Sequence, residues 1–329
     1  MAGPANANAG RLQRDQVGGP PTLSTTPGTA FLLVRALFAR PLRSRVRRFE
    51  SCGGHLFGVV GAWGVAVVAG RVWRVSLGTV VLTGAAGLVG SVLREPLSAA
   101  ADRLVSVDRS PLPANYAGEE VRALDLESVE AAMRAVEGAD SVVHLAGVAD
   151  EAPFATLLNG SVLVAHHVLE ASRRAGVRRV VLASSNRLTG FYPISQTVSP
   201  DAPPRPDGLY GVSKVAIEAL GRLYADKFGL EVVCVRIGSL EREPFESRHL
   251  ATWLSPRDCQ GFFLDALTSS QAGFSVMYAV SANPRRFWSL TDGYEPVDAA
   301  DGLPEDFFRE DGPQGGDYAS PAYTLRHLT

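Results

Sequence analysis

The feature that most constrains the fold is a glycine-rich turn between an apolar run and an amphipathic segment. Residues 79–83 are apolar and β-branched. Gly84, Gly87 and Gly90 follow at intervals of three residues. This pattern predicts a buried parallel strand, a tight turn and the start of a helix. Glycine lets the backbone approach a pyrophosphate, whose charge the free N–H groups of a helix start can bind. The stretch predicts a dinucleotide site, with an ordinary strand-to-helix turn as the alternative.

A second strand supports the dinucleotide prediction. Residues 104–108 form a mostly apolar run that ends in Asp108, 18 residues after Gly90. A carboxylate at this point can accept hydrogen bonds from the adenosine ribose, and it repels a 2′-phosphate. NAD is therefore expected rather than NADP. The alternative role of Asp108 is to cap the following turn.

The composition is that of a globular protein, but the charge is unevenly distributed. Hydrophobic residues make up 46% of the chain and charged residues 20%, and the net charge of −2 gives no indication of nucleic-acid binding. Residues 1–78 contain ten arginines and two acids, whereas the remainder is acidic. Cysteine, histidine and acidic residues show no ligand spacing, which predicts no metal. The three scattered cysteines favour a reducing compartment, the cytoplasm.

Residues 1–78 are predicted to form a disordered, arginine-rich extension, because they are rich in small and polar residues with little periodicity. A targeting segment, a membrane-surface helix or a polyanion-binding patch around residues 35–48 are the alternatives. The uncharged run 56–70 contains four glycines and is shorter than the roughly 18 residues of a membrane span, so a membrane anchor is not favoured.

From residue 79 onwards, apolar and amphipathic segments alternate. This alternation predicts an α/β fold with a doubly wound, Rossmann-type parallel sheet and a ligand at the carboxyl ends of the strands. Strands are predicted over 79–83, 103–108, a short run closed by Asp125 and Leu126, 141–147, 177–183, 231–237 and 274–280. Helices are predicted over 87–98, 126–136, 153–175 and 210–228, with a further helix starting at Ser255. Residues 79–238 are expected to bind NAD, and residues 239–329 to form a small substrate-binding region with a loose tail from Asp311.

Two clusters near predicted strand and helix ends can carry chemistry. Tyr210 and Lys214 are four residues apart, which places them on one face of a helix. The phenolate form of tyrosine is the base, and the ordinary pKa of about 10 leaves little of it at neutral pH. A nearby ammonium and a cationic nicotinamide lower this pKa and favour the phenolate. Ser185 can hydrogen-bond the same substrate oxygen. Alone, the Tyr/Lys pair is an ordinary surface pair, but it is far more specific downstream of a glycine-rich turn.

These motifs resemble the extended short-chain dehydrogenase/reductases, the NAD-dependent epimerase/dehydratase family. The matching stretches are TGAAGLVG (83–90), HLAG (144–147), SSN (184–186), YGVSK (210–214) and RIGS (236–239). SSNRLTGFYP (184–193), PDGLYGVSK (206–214) and SANPRRFW (281–288) are most similar to the uronate dehydrogenase branch. The resemblance covers residues 79 to about 295. It implies NAD-dependent oxidation of galacturonate or glucuronate at C1 to an aldarolactone.

The resemblance also implies roles for single residues. Tyr210 is the implied base for the C1 hydroxyl, Lys214 assists it and binds the nicotinamide ribose, and Ser185 holds the reacting oxygen. The implied substrate contacts are Asn186, Arg187, Ser239 and Arg248, of which Arg248 forms a bidentate pair with the substrate carboxylate. The implied NAD contacts are Gly84, Gly87, Leu88, Val89, Gly90, Asp108, Asp125, Leu126, Leu145, Ala146, Gly147, Tyr210 and Lys214. Without the resemblance, Arg248 is equally well read as a surface arginine beside Glu246.

Four positions depart from the family pattern, and one of them is Leu88, which replaces a polar residue often seen in the glycine-rich turn. Ser161 stands where the family usually has asparagine, and Ala149 and Arg187 stand where uronate dehydrogenases have serine and histidine. The departures leave open which sugar is preferred. Two guanidinium groups in one pocket, those of Arg187 and Arg248, repel each other unless an anion lies between them. We therefore expect the pocket to favour a uronate over a neutral aldose.

Two other functions share parts of the pattern. A sugar-nucleotide epimerase or dehydratase uses the same Tyr/Lys pair, but it needs room for a nucleotide diphosphate that the short C-terminal part does not favour. A non-catalytic NAD-sensing protein is less favoured because both the tyrosine and the lysine are present. The expected partner is a small sugar acid, with no nucleic acid and no membrane, and a homo-oligomer is left open.

Overall fold

The structure is a computed structural model that describes residues 76–328 and the backbone of three short strands before them. Gly58–Val59, Val65–Val68 and Arg71–Arg74 pair antiparallel in a small sheet. The rest of the predicted 1–78 extension lies outside the described residues. The stretch 35–48, for which a targeting segment, a membrane-surface helix or a polyanion-binding patch is the alternative, also lies outside them. Among the described residues, no helix is both long and apolar enough to cross a bilayer.

Seven parallel strands form the central sheet. They are β1 (Thr79–Thr83), β2 (Arg103–Asp108), β3 (Glu119–Ala123), β4 (Ser141–His144), β5 (Arg179–Ser185), β6 (Glu231–Ile237) and β7 (Phe274–Ala279). Their spatial order is β3-β2-β1-β4-β5-β6-β7. This order confirms the predicted doubly wound sheet. The order reverses between β1 and β4, and such a reversal opens a ligand crevice at the carboxyl ends of the strands.

Five helices of eight or more residues pack on the described sheet. They are α1 (Leu88–Ala100), α2 (Val129–Val136), α3 (Val164–Ala175), α4 (Leu209–Phe228) and α5 (Pro256–Thr268). The predicted helix over 153–175 is present as Phe154–Leu157, a π-helical segment Leu158–Leu163 and then α3. Helix α5 starts as its sequence predicts, because the Ser255 hydroxyl accepts a hydrogen bond from the Asp258 N–H at 3.0 Å and proline holds the first position.

The inner strands of the sheet are mostly apolar and buried because helices cover both faces of the sheet. Successive residues of β1 point into different core clusters. Val81 packs with Leu169 of α3 and other side chains of α2, α3 and α4. Val80 and Leu82 pack with Leu93 of α1 and Phe262 of α5 on the opposite face.

The third strand lies earlier in the chain than predicted. It is β3, Glu119–Ala123, so Asp125 and Leu126 belong to the loop that follows it. The strand is at the edge of the sheet and most of its residues are half-buried. Edge strands commonly carry charged residues, and the sequence EEVRA therefore lacks the apolar pattern by which the other strands are recognised.

The tail from Asp311 is not loose, as had been expected, but packs on the domain. The Asp311 carboxylate accepts hydrogen bonds from the backbone N–H and the hydroxyl of Ser195 at 3.0 and 2.9 Å. Gln314 is 1% exposed, and its amide donates to the carbonyls of Pro193 and Gln196 at 3.0 and 2.8 Å. Short helical turns follow at Gly316–Ala319 and Pro321–Arg326.

We propose that the NAD-binding and substrate-binding regions fold without the residues before Val75. The seven-stranded sheet begins at Thr79 and its first helix at Leu88. A shortened protein that begins at Val75 should therefore unfold cooperatively and bind NAD with the affinity of the full chain. Calorimetry and NAD titration of both proteins measure this. Loss of cooperative unfolding or of NAD binding in the shortened protein alone would contradict the proposal.

Candidate functional site

The glycine-rich turn follows β1 and meets the end of β4. Gly84 has a φ of +70°, and a Cβ atom there would lie 2.7 Å from the backbone nitrogen of Ala146. A Cβ atom on Gly90 would overlap the carbonyl oxygen of Gly84. A Cβ atom on Gly87 would meet only the Gly84 carbonyl, at 3.3 Å. Protein packing thus requires glycine at 84 and 90. Glycine at 87 is the position that, in a dinucleotide turn, lets the protein backbone approach the pyrophosphate.

The start of α1 is suited to an anion. Gly87 precedes the helix, no side chain caps it, and its first turn contains no acid. Leu88, Val89 and Gly90 form that first turn, where backbone N–H groups and the helix dipole favour negative charge. The predicted pyrophosphate contacts therefore lie together at one helix end.

Asp108 holds the glycine-rich turn in place. Its Oδ2 accepts a hydrogen bond from the Ala86 N–H at 3.0 Å, and its Oδ1 accepts one from Ser110 at 2.9 Å. The turn-capping role is thus present, and each oxygen keeps a lone pair for a ribose hydroxyl. The Asp108 carbonyl accepts the Leu124 N–H at 2.9 Å. This bond brings the loop with the exposed Asp125 and the buried Leu126, the predicted adenine contacts, beside the end of β2.

The other wall of the crevice is the end of β4, which continues into Leu145, Ala146 and Gly147. Thr83 Oγ1 lies 2.8 Å from His144 Nδ1, which ties the ends of β1 and β4 together. Burial, reinforced by the charge of Lys214, lowers the pKa of His144 to about 3, so its ring is neutral. His144 is therefore a core histidine, as its apolar strand indicated.

Ser161, at the usual asparagine position, supports the loop after β4. It lies buried in the π-helical segment, and its hydroxyl accepts the Val148 N–H at 2.9 Å. A Cβ atom on Gly147 would come within 3.1 Å of this hydroxyl. Ser161 thus packs closely beneath the strip that is expected to run under the nicotinamide.

The end of β5 and the start of α4 bring the predicted catalytic residues together. Ser185 is the last residue of β5, Tyr210 is in the first turn of α4, and Lys214 follows one turn later. Lys214 Nζ lies 5.4 Å from the centre of the Tyr210 ring and donates to the Ala183 carbonyl at 3.1 Å. A Cβ atom on Gly211 would lie 2.7 Å from the Arg187 carbonyl, so glycine permits the helix to approach the residues that follow β5.

Arg248 is a buried cation without an acidic partner among the described residues. It is 8% exposed, which excludes the surface-arginine alternative, and burial lowers the pKa of its guanidinium. Its Nε donates to the Gln314 carbonyl at 3.0 Å and its Nη1 to the Ser239 hydroxyl at 3.3 Å. No described carboxylate forms a salt bridge with it. The nearby Glu246 lies 3.4 Å from His249 instead.

Arg187 has the opposite environment. It is 6% exposed, and its Nη1, Nη2 and Nε lie 3.0, 3.3 and 2.5 Å from carboxylate oxygens. The three partners are Asp150, Glu151 and Asp207. Burial lowers the pKa of the guanidinium, but Asp207 and Asp150 raise it by more, so it stays charged. The premise of two unpaired guanidinium groups in one pocket is therefore wrong, and a direct contact between Arg187 and a substrate stays a prediction.

Several residues around the site were missed by sequence reasoning. Asp150 and Glu151 follow β4 at the same carboxyl edge that carries the other site residues. Their position after a predicted strand could have identified them as site residues. Tyr318 and Tyr323 belong to the tail, whose pattern gave no such signal. Among the described residues, no group of three or more histidines, cysteines or acids is arranged to hold a metal ion.

Comparison with known proteins supports the fold and the NAD cofactor. A sequence profile of the NAD dependent epimerase/dehydratase family matches residues 80–255. The uronate dehydrogenase of Pseudomonas syringae pv. tomato is 41% identical over 208 residues, which cover 63% of this chain and 76% of that protein. The Agrobacterium fabrum uronate dehydrogenase is 40% identical, over 67% and 84% of the two chains. A variant of the Agrobacterium tumefaciens uronate dehydrogenase, solved in complex with NAD, superimposes with a TM-score of 0.67 at 36% identity and covers 74% and 97% of the two chains.

Gly90 and Gly87 are expected to respond differently to alanine. Gly90→Ala should destabilise the fold by about 1–3 kcal/mol, because its methyl group overlaps the turn. Gly87→Ala should leave the free energy of unfolding nearly unchanged and weaken NAD binding, because its methyl group occupies the ligand side of the turn. Urea unfolding and NAD titration of the two variants test this. Normal NAD affinity in Gly87→Ala would show that no pyrophosphate lies against this turn.

Proposed function

Because this chain belongs to the NAD-dependent epimerase/dehydratase family, we propose that it oxidises a hexuronic acid, galacturonate or glucuronate, at C1 to the aldarolactone. The chain is an NAD-dependent dehydrogenase. Uronate dehydrogenases that are about 40% identical to it over most of their length support a uronate as the substrate. The observation that carries the choice of substrate is the environment of Arg248. A buried guanidinium without a described acidic partner favours an anionic ligand.

The cofactor side of the site fits NAD. The turn from Gly84 to Gly90 would hold the pyrophosphate, and Asp108 would accept the ribose hydroxyls. The strip 145–147 would lie beneath the nicotinamide side of the cofactor. When bound, NAD supplies the acceptor for the hydride that leaves C1 of the sugar.

Tyr210 is the proposed base. It would take the proton of the C1 hydroxyl while the C1–H electron pair leaves as hydride, so that the C1–O bond becomes a carbonyl. The Lys214 ammonium, which lies 5.4 Å from the centre of its ring, would stabilise the phenolate and bind the nicotinamide ribose. Ser185 would donate a hydrogen bond to the reacting oxygen. Asn186 and Ser239 would contact other hydroxyl groups of the sugar.

Arg248 is the proposed anchor for the substrate carboxylate. The described hydrogen bonds use one N–H of Nε and one of Nη1. The other three N–H groups of the guanidinium remain for a ligand, which is enough for a bidentate pair with a carboxylate. Lysine at this position would match that geometry poorly.

Tyr210→Phe should lower kcat about 100-fold or more and leave NAD affinity within about twofold, because only the proton acceptor is lost. Lys214→Ala should weaken NAD binding as well as kcat. The control is Tyr192→Phe, which makes the same change at a buried tyrosine whose hydroxyl donates to the Pro203 carbonyl. Steady-state kinetics with glucuronate and NAD measure the effect. Near-normal turnover in Tyr210→Phe would remove this tyrosine from the mechanism.

Arg248→Leu should reduce kcat/KM for glucuronate at least about tenfold, because a charge-assisted contact is worth roughly 1.5–3 kcal/mol. The low value for glucose should change little, since glucose has no carboxylate. Arg242→Leu makes the same substitution at an exposed arginine nearby and is the matched control. Equal kcat/KM for glucuronate and glucose in the parent would contradict a uronate pocket. Turnover of UDP-sugars instead would support the epimerase or dehydratase alternative.

A further inference from the structure

We propose that Arg187 is a positioning residue that holds the Tyr210 end of α4 and the C-terminal segment, residues 315–328, together at the site. The inference rests on the proposed function in one respect, the role of Tyr210 as the base. It assigns Arg187 a role different from the substrate contact implied by its position in the sequence. Three independent sets of contacts carry it.

The first set joins Arg187 to the start of α4 through Glu151. The buried Glu151 carboxylate accepts the Arg187 Nη2–H at 3.3 Å. It also accepts the backbone N–H groups of Leu209 and Tyr210 at 2.7 and 3.2 Å. A Cβ atom on Gly208 would overlap this carboxylate, so it is packed directly against the helix end. Glu151 is therefore the N-terminal cap of α4, and Arg187 holds the cap.

The second set joins Arg187 to the loop before α4. Its Nε donates to Asp207 Oδ1 at 2.5 Å, and its carbonyl accepts the Asp207 N–H at 3.1 Å. Asp207 Oδ2 is buried and has no described hydrogen-bond partner. A Cβ atom on either Gly190 or Gly315 would overlap that oxygen. Asp207 thus connects Arg187 to the first residue of the C-terminal segment.

The third set joins Arg187 to the aromatic rings of the C-terminal segment. The centres of the Tyr318 and Tyr323 rings lie 4.3 and 5.4 Å from the Arg187 guanidinium carbon, which is the range of cation–π contacts. The Tyr323 hydroxyl donates to Asp150 Oδ2 at 2.7 Å, and the other oxygen of that carboxylate accepts from Arg187. Beyond Gly316, this is the one described hydrogen bond from the segment to the rest of the domain.

Arg187 is therefore the shared partner of two parts of the site that have few other links. Its guanidinium also lies 5.7 Å from the centre of the Tyr210 ring, so one planar group contacts the proposed base and the segment above it. The three carboxylates contact three different nitrogens of the planar guanidinium, whereas a lysine offers its donors from a single nitrogen and cannot keep all three contacts in place. The orientation of Tyr210 and the seating of the segment should accordingly depend on arginine rather than on positive charge alone.

The test is hydrogen–deuterium exchange of the full-length protein with NAD, in the parent and in Arg187→Lys. Exchange should become faster in peptides from both 205–214 and 315–328. Because a displaced base lowers the rate of chemistry, kcat with glucuronate should fall about tenfold or more, while NAD affinity stays within about twofold. Arg179→Lys is the matched control, since Arg179 is likewise a buried arginine paired with a carboxylate but is the first residue of β5, whereas Arg187 follows the other end of that strand. It should change neither peptide.

Tyr323→Phe is the second variant, which keeps the ring and removes only the bond to Asp150. Exchange of 315–328 should rise while that of 205–214 stays as in the parent, with kcat within about threefold. Unchanged exchange of both peptides in Arg187→Lys would overturn the proposal, as would a change confined to one of them. If the parent oxidises no uronate, the proposed function fails, and the exchange result still decides the role of Arg187.

Discussion

The close approach of Gly84 to the end of β4 is the constraint on which the site depends. At this point the strand order reverses, and the turn can lie against Ala146 only because residue 84 has no side chain and a positive φ. The same contact leaves the start of α1 uncapped and open, with Asp108 holding the turn from the side. The helix end proposed to bind the pyrophosphate and the carboxylate proposed to bind the ribose thus both follow from how β1, β2 and β4 are packed.

The two buried arginines show how local charge separates a ligand site from a structural one. Arg187 and Arg248 are almost equally buried, yet the first has three carboxylate partners and the second has none among the described residues. Burying a charge is costly unless it is paired, so a pocket that keeps an uncompensated guanidinium gains most from an anionic ligand. This contrast supports the proposals that Arg248 recognises the charge of the substrate and that Arg187 belongs to the framework around Tyr210.

Sequence reasoning succeeded where the signal is local and failed where partners are distant. Sequence alone predicts the apolar strands β1, β2 and β6 and the start of α5 at Ser255–Asp258. Hydrophobic periodicity and helix capping depend only on residues close together in the chain. The edge strand β3 was misplaced because its polar residues conceal it. The pairing of Arg187 could not be read, because Asp207 and Glu151 lie 20 and 36 positions away in the chain. The packed tail was missed for a related reason, since Gln314 is buried by polar contacts with residues near 195.

Substrate choice depends, in our proposal, on a pocket at Arg248 that binds a carboxylate. The most direct measurement is calorimetric binding of glucuronate and of glucose to the Tyr210→Phe protein saturated with NAD, in which binding is separated from turnover. Glucuronate should bind at least about tenfold more tightly than glucose, and the difference should shrink as salt is added. Equal affinity for the two sugars, or binding of neither, would contradict it.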